Sequence, residues 1–103
     1  MQNIYQRKIR VVVNSKYQEI LNDFLDGFLA TTKDFIDIKL FVVHNGLSVP
    51  DLPNIISSEF PPGVFGSLAL GPLIEQFLDE KAEVIIDLND DLWFSKGWLE
   101  DGL

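Results

Sequence analysis

Apolar residues fall in short clusters whose spacing changes along the chain. Ile9-Arg10-Val11-Val12-Val13 is a β-branched run and predicts a strand. From Tyr17 the rhythm becomes helical. Tyr17, Ile20, Leu21, Phe24, Leu25, Phe28 and Leu29 share one stripe, with Glu19, Asp23 and Asp26 turned outward. Ser15-Lys16-Tyr17-Gln18 just ahead fits a capping box, in which the Ser hydroxyl and the Gln amide each satisfy an orphan amide. Ile36 to Val43 predicts a second strand, stopped by the turn signal Asn45-Gly46. Strand, helix and strand of these lengths make a βαβ unit. Its helix is expected to lay Ile20, Leu21, Phe24 and Phe28 on a sheet containing Val12, Leu40 and Ile85.

The middle of the chain is heavily punctuated. Residues 47–66 hold Pro50, Pro53, Pro61, Pro62, Gly63 and Gly66, too many breakers for a long element. Asn54 to Phe60 predicts a short edge strand inside this stretch, which shortens an otherwise structureless loop. Gly71-Pro72 predicts a helix start, because Pro suits a first turn where its missing amide costs nothing. Leu73, Ile74, Phe77 and Leu78 form the buried stripe of that helix. Val84 to Leu88 is apolar on successive residues, the pattern of a strand covered on both faces. Trp93 to Leu99 predicts a short closing helix. The expected architecture is a single small α/β domain over residues 1–103, with three or four mostly parallel strands and helices packed on the sheet.

Composition narrows the chemistry. A chain of 103 residues is long enough to bury a continuous core without staples. The absence of Cys excludes disulfides, thiolate nucleophiles and Cys-containing zinc sites. The start MQNIYQRKIR is polar, no apolar signal core follows it, and no apolar run approaches the roughly 20 residues of a membrane span. The expectation is a cytoplasmic protein without a membrane role.

Charge is placed unevenly. Residues 1–52 carry six basic and six acidic side chains, whereas residues 53–103 carry two basic and ten acidic ones. The formal net charge of −8 therefore belongs to the second half. Such a field repels phosphates and attracts cations or basic proteins, so nucleic acid is not the expected ligand.

Each candidate site also has a plainer role. Asp87, Asp90 and Asp91 lie at or past the end of the Val84–Leu88 strand, where open α/β sheets place ligands and where carboxylates could hold Mg²⁺ or Ca²⁺. A calcium loop starting at Asp87 would need Gly sixth and Glu twelfth, and the chain has Leu92 and Trp98 there. An acidic turn that caps the next helix is the simpler account, and no cofactor is expected. His44, the one histidine, could act as a general base, but no Cys and no G-x-S-x-G serine accompanies it. The glycines of PPGVFGSLALG match neither the dinucleotide fingerprint nor the phosphate loop. Trp93, Phe94 and Trp98 beside acidic residues suit a protein interface, in which Trp anchors and rim charges steer.

One stretch, GSLALGPLIEQFLDEKAEVIIDLNDDLWFSKGWL, resembles the helix–strand–helix centre of STAS regulatory domains, the anti-sigma-factor antagonists. It covers about a third of the chain and implies a regulatory interaction domain. Lys96 stands where such domains carry a phosphorylated Ser, with Ser95 adjacent, and the βαβ start departs from their usual element order.

The functional expectation is a non-catalytic acidic binding protein of the inhibitor or immunity type. Its basic partner would be a nuclease toxin or a regulatory protein. The expected contact residues are Asp79, Glu80, Glu83, Asp90, Asp91, Trp93, Trp98, Glu100 and Asp101. The high apolar fraction also leaves room for a homodimer. The alternatives are the STAS-like module and a small metal-dependent enzyme built on Asp87, Asp90, Asp91 and His44.

Overall fold

The computed structural model describes residues 3–61 and 67–103, the side chains of 67–69 excepted. The β-branched run forms β1 (Ile9–Asn14), and the amphipathic stretch after it forms α1 (Gln18–Thr31). There follow β2 (Ile38–His44), β3 (Ile55–Glu59), α2 (Ser67–Asp79), β4 (Val84–Asn89) and a short α3 (Trp98–Gly102). The strands make one parallel sheet in the order β3-β2-β1-β4. The βαβ start and the edge strand near residues 55–59 thus form as their patterns predict.

Alternation along β1 divides the core into two layers. Val11 and Val13 face α1, meeting Leu21, Phe24, Leu25 and Phe28, with Leu40 and Val42 of β2 beside them. Val12 faces the other way, with Phe41 and Val43, and is covered by Leu73 and Phe77 of α2. The α1 face therefore holds Leu40 but not Val12 or Ile85, which pack on the α2 side. Parity along a strand forces this split, because neighbouring residues point to opposite faces.

Several local expectations change. The capping box does not form: α1 has Tyr17 at its N-cap, with no side-chain cap bond. Ser15 Oγ instead donates to Asp90 Oδ2 at 2.9 Å, and the Gln18 amide pairs with the backbone of Ser48 through bonds of 2.7 and 2.9 Å. Helix α2 starts five residues before Pro72 and encloses it. Tyr17, Ile20 and Leu78 leave their stripes, at 65%, 37% and 62% exposure. The closing helix begins at Trp98 rather than Trp93, after an irregular stretch from Asp90.

The largest difference concerns β4. Its pattern predicts a strand covered on both faces, and Val84, Ile86 and Leu88 do pack on the α1-side core and Ile85 on the α2 side, but β4 pairs with β1 alone and forms a sheet edge. Val84, Ile85, Ile86 and Leu88 are all half-buried, whereas β1 is buried from Ile9 to Val13. Pattern reports what a strand's two faces would bury, and not which strands lie beside it.

One polar clamp closes the other end of the sheet. Arg10 is 3% exposed, and its guanidinium reaches Asp37 Oδ1 at 3.1 Å and Glu80 Oε2 at 3.3 Å. It also donates to the carbonyls of Ile9 and Asp37. A buried cation needs such a full set of partners. Among the described residues, no helix is long and apolar enough to cross a membrane.

Candidate functional site

Strand order reverses between β1 and β4, and open α/β sheets bind ligands in the crevice outside the carboxyl ends at such a point. Here those ends carry Asn14, Ser15, Asn89 and Asp90. The Ser15–Asp90 hydrogen bond closes the gap between them and leaves a cleft on either side. The cleft on the α2 side is small, about 260 Å³, and is lined by Asn14, Leu70, Asp87, Asn89 and Asp90. The groove on the α1 side, about 500 Å³, lies between α1 and residues 90–94.

The larger groove is built on a notch in α1. Gly27 has no side chain to fill it, and a Cβ there would lie 2.8 Å from Phe94 Cδ2. Phe94 occupies the space, edge-on to Phe24 at 5.0 Å and to Phe28 at 6.0 Å between ring centroids. Trp98 leans on Phe94 at 4.9 Å, and its indole N–H donates to Thr31 Oγ1 at 2.8 Å. With Phe94 and Trp98 anchored inward, Trp93 points the other way and is 98% exposed. Leu92 and Ile20 beside it are also exposed. Asp23 and Asp26 of α1, with Asp90 and Asp91 opposite, supply carboxylates around this apolar floor.

The expected contact residues do not all gather here. Asp90, Asp91 and Trp93 share the groove, while Trp98 is half-buried and tied to α1. Asp79, Glu80 and Glu83 lie at the opposite end of the sheet, where α2 hands over to β4. There Glu80 pairs with Arg10, its carbonyl accepts from Lys8 Nζ, and the Glu83 carboxylate accepts from the Lys8 amide. Glu100 receives the Tyr5 hydroxyl at 3.5 Å, and Asp101 is exposed on α3. Burial, reinforced by the nearby carboxylates of Glu100 and Asp34, pushes the Tyr5 phenol above its ordinary value.

The groove also contains residues whose periodicity points elsewhere, Ile20 to the buried stripe and Asp23 and Asp26 to a solvated face. Their signal is Gly27, a helix-weakening residue inside an otherwise regular pattern, which marks a close approach by another part of the chain.

His44 and the Asp87, Asp90 and Asp91 carboxylates stand apart. His44 closes β2 and is buried, at 4% exposure. The Leu47 amide donates to its Nδ1 at 3.0 Å, so the ring proton resides on Nε2 and points to Ser57 Oγ at 2.6 Å. A base serving Ser57 needs the opposite tautomer. Asp87 and Asp91 line different clefts. Among the described residues, no three His, Asp or Glu converge on a point that could hold a metal ion.

No protein-family model matches the chain, and neither a curated protein nor a solved structure matches it.

Proposed function

We propose that this protein is a non-catalytic binding module whose α1-side groove engages a basic protein partner. The observation that carries the reading is Trp93, a fully exposed indole flanked by carboxylates at the mouth of an apolar groove. A solvated Trp costs hydrophobic free energy that docking recovers, and Trp is among the side chains most enriched at binding hot spots. Asp23, Asp26, Asp90 and Asp91 would steer a cationic surface toward it. A nuclease toxin is a partner of this kind, because an acidic, aromatic face can occupy a surface built for phosphate.

The reading assigns separate work to charge and to the indole. Against a panel of basic nucleases, binding and inhibition by the wild-type chain are the expected results. Neutralising Asp90 and Asp91 together should slow association, most strongly at low salt, where screening is weakest. Trp93→Ala should instead speed dissociation and cost about 2 kcal/mol or more. Binding that ignores salt between about 50 and 500 mM would assign the carboxylates to solvation alone. Micromolar Mg²⁺ or Ca²⁺ affinity lost in Asp90→Asn would favour the metal-dependent alternative.

A further inference from the structure

We infer that β4 is completed by an added strand, an extended segment of the basic partner with an apolar centre and cationic flanks. The inference rests on the basic-partner reading but on a different surface from the Trp93 groove. Edge strands in natural sheets are usually guarded by Lys, Pro, bulges or shortness, since their free amides and carbonyls template pairing. β4 has six residues with neither Lys nor Pro, pairs with β1 in continuous register, and is apolar along its α1 face at Val84, Ile86 and Leu88, with Ile85 on the other face beside the exposed Asp87 and Asn89.

The ladder identifies which groups are offered. The Val84 amide donates to Lys8 O, so Val84, Ile86 and Leu88 direct their backbone groups at β1. Ile85, Asp87 and Asn89 direct theirs outward, and among the described residues those groups have no backbone partner. Three residues therefore offer an amide and a carbonyl each to an incoming strand.

Charge selects the occupant. Asp87 is the one charged residue within β4, and Asp90 and Asp91 follow at its end. Antiparallel pairing of β4 with a second copy would bring two Asp87 carboxylates together near the dyad, with no cation on either strand. Like charges across a ladder destabilise it, and each copy carries −8. A segment with Lys or Arg at its ends meets the same carboxylates favourably, as in recognition by strand addition.

The test is amide exchange on the full chain, read at Ile85, Asp87 and Asn89, with Trp93 emission followed in the same samples. The probe is an acetylated Lys-Val-Thr-Val-Thr-Val-Lys amide, compared with a Glu-flanked analogue and with one N-methylated along one edge. The Lys-flanked peptide is expected to slow exchange at the three amides by about tenfold or more, and the two analogues are not. Asp87→Pro removes one outward amide without touching the β1 ladder, so it should abolish protection, whereas Asp87→Asn should only weaken it. Asn89→Pro repeats the test if Asp87→Pro does not fold, and the peptide comparison on the wild-type chain needs no variant. Absence of protection, or equal protection by the Glu-flanked peptide, overturns the inference. So does protection that rises with protein concentration in the absence of peptide, which assigns the edge to a second copy. A peptide that shifts Trp93 emission while the three amides stay fast overturns the edge and leaves the groove reading standing.

Discussion

Phe94 rests on the bare backbone of Gly27, and a single added methyl group at residue 27 would overlap its ring. This contact holds the stretch from Asp90 to Gly97 on α1 and so sets the position of Trp93. An exposed helical Gly→Ala change usually stabilises by about 1 kcal/mol. Gly27→Ala is expected to do the reverse, with a net loss of about 1–2 kcal/mol, because Phe94 is wedged among Phe24, Phe28 and Trp98. The urea midpoint measures this, and a gain in stability would show that Phe94 moves aside freely.

Phe24 joins the helix, the sheet and the Phe94 stretch. It is 1% exposed and stacks over Phe28 at 6.1 Å. Phe24→Ala should cost about 3–5 kcal/mol, the usual loss for a core aromatic. A loss under about 1 kcal/mol would contradict the placement of α1 on the sheet.

Arg10 is the polar counterpart of that core. Arg10→Ala removes a donor from the carbonyls of Ile9 and Asp37, the latter still accepting from the Ile9 amide, and leaves the Asp37 and Glu80 carboxylates without their shared cation. Both carboxylates keep partial access to water, which limits the damage to about 2–3 kcal/mol. Equilibrium unfolding at low and high salt checks this, and most of the loss should survive high salt, because the guanidinium is buried.

Tyr5 gives a pH signature with a definite sign. Its phenol is held neutral in the folded state beyond the point at which the unfolded chain ionises. Above the ordinary value of about 10 the unfolded state binds fewer protons, so stability falls as pH rises and is unaffected below. Tyr5→Phe should remove that part of the alkaline decline. Identical slopes for the two chains above about pH 10 would mean that neither burial nor the carboxylates of Glu100 and Asp34 raise the phenol in the folded state.

Local pattern specified the elements and much less of their neighbourhood. The βαβ start was legible because a β-branched run and a seven-residue apolar stripe have incompatible periods, and only one element satisfies each. Ser15 and Gln18 looked like a capping pair because nothing local reveals Asp90, 75 residues away, or Ser48, 30 residues away. The acidic second half was legible as a sum and misleading as a surface. Glu80 is paired through Arg10, while Asp23 and Asp26, from the half with no net charge, join the groove. Trp93 and Trp98 are five residues apart, and only the fold shows that one is tied to Thr31 while the other stands in water.

Strand β1 takes one neighbour from close by in sequence and the other from far along the chain. β1 pairs with β2 at a separation of about 29 residues, but with β4 at 75, since Ile9 lies opposite Ile38 and Val84. On the ribosome, β1 and β2 can join while β1 keeps its other side open until residue 89 has emerged. At roughly 5–20 residues per second, that is an interval of several seconds in which a buried strand is unprotected. Closing the longer loop costs only slightly more entropy than closing the shorter one, so the delay is set by synthesis rather than by the chain's reluctance to fold. A nascent chain of this protein is therefore most exposed to chaperones, and to its neighbours, along the side of β1 that the last strand will cover.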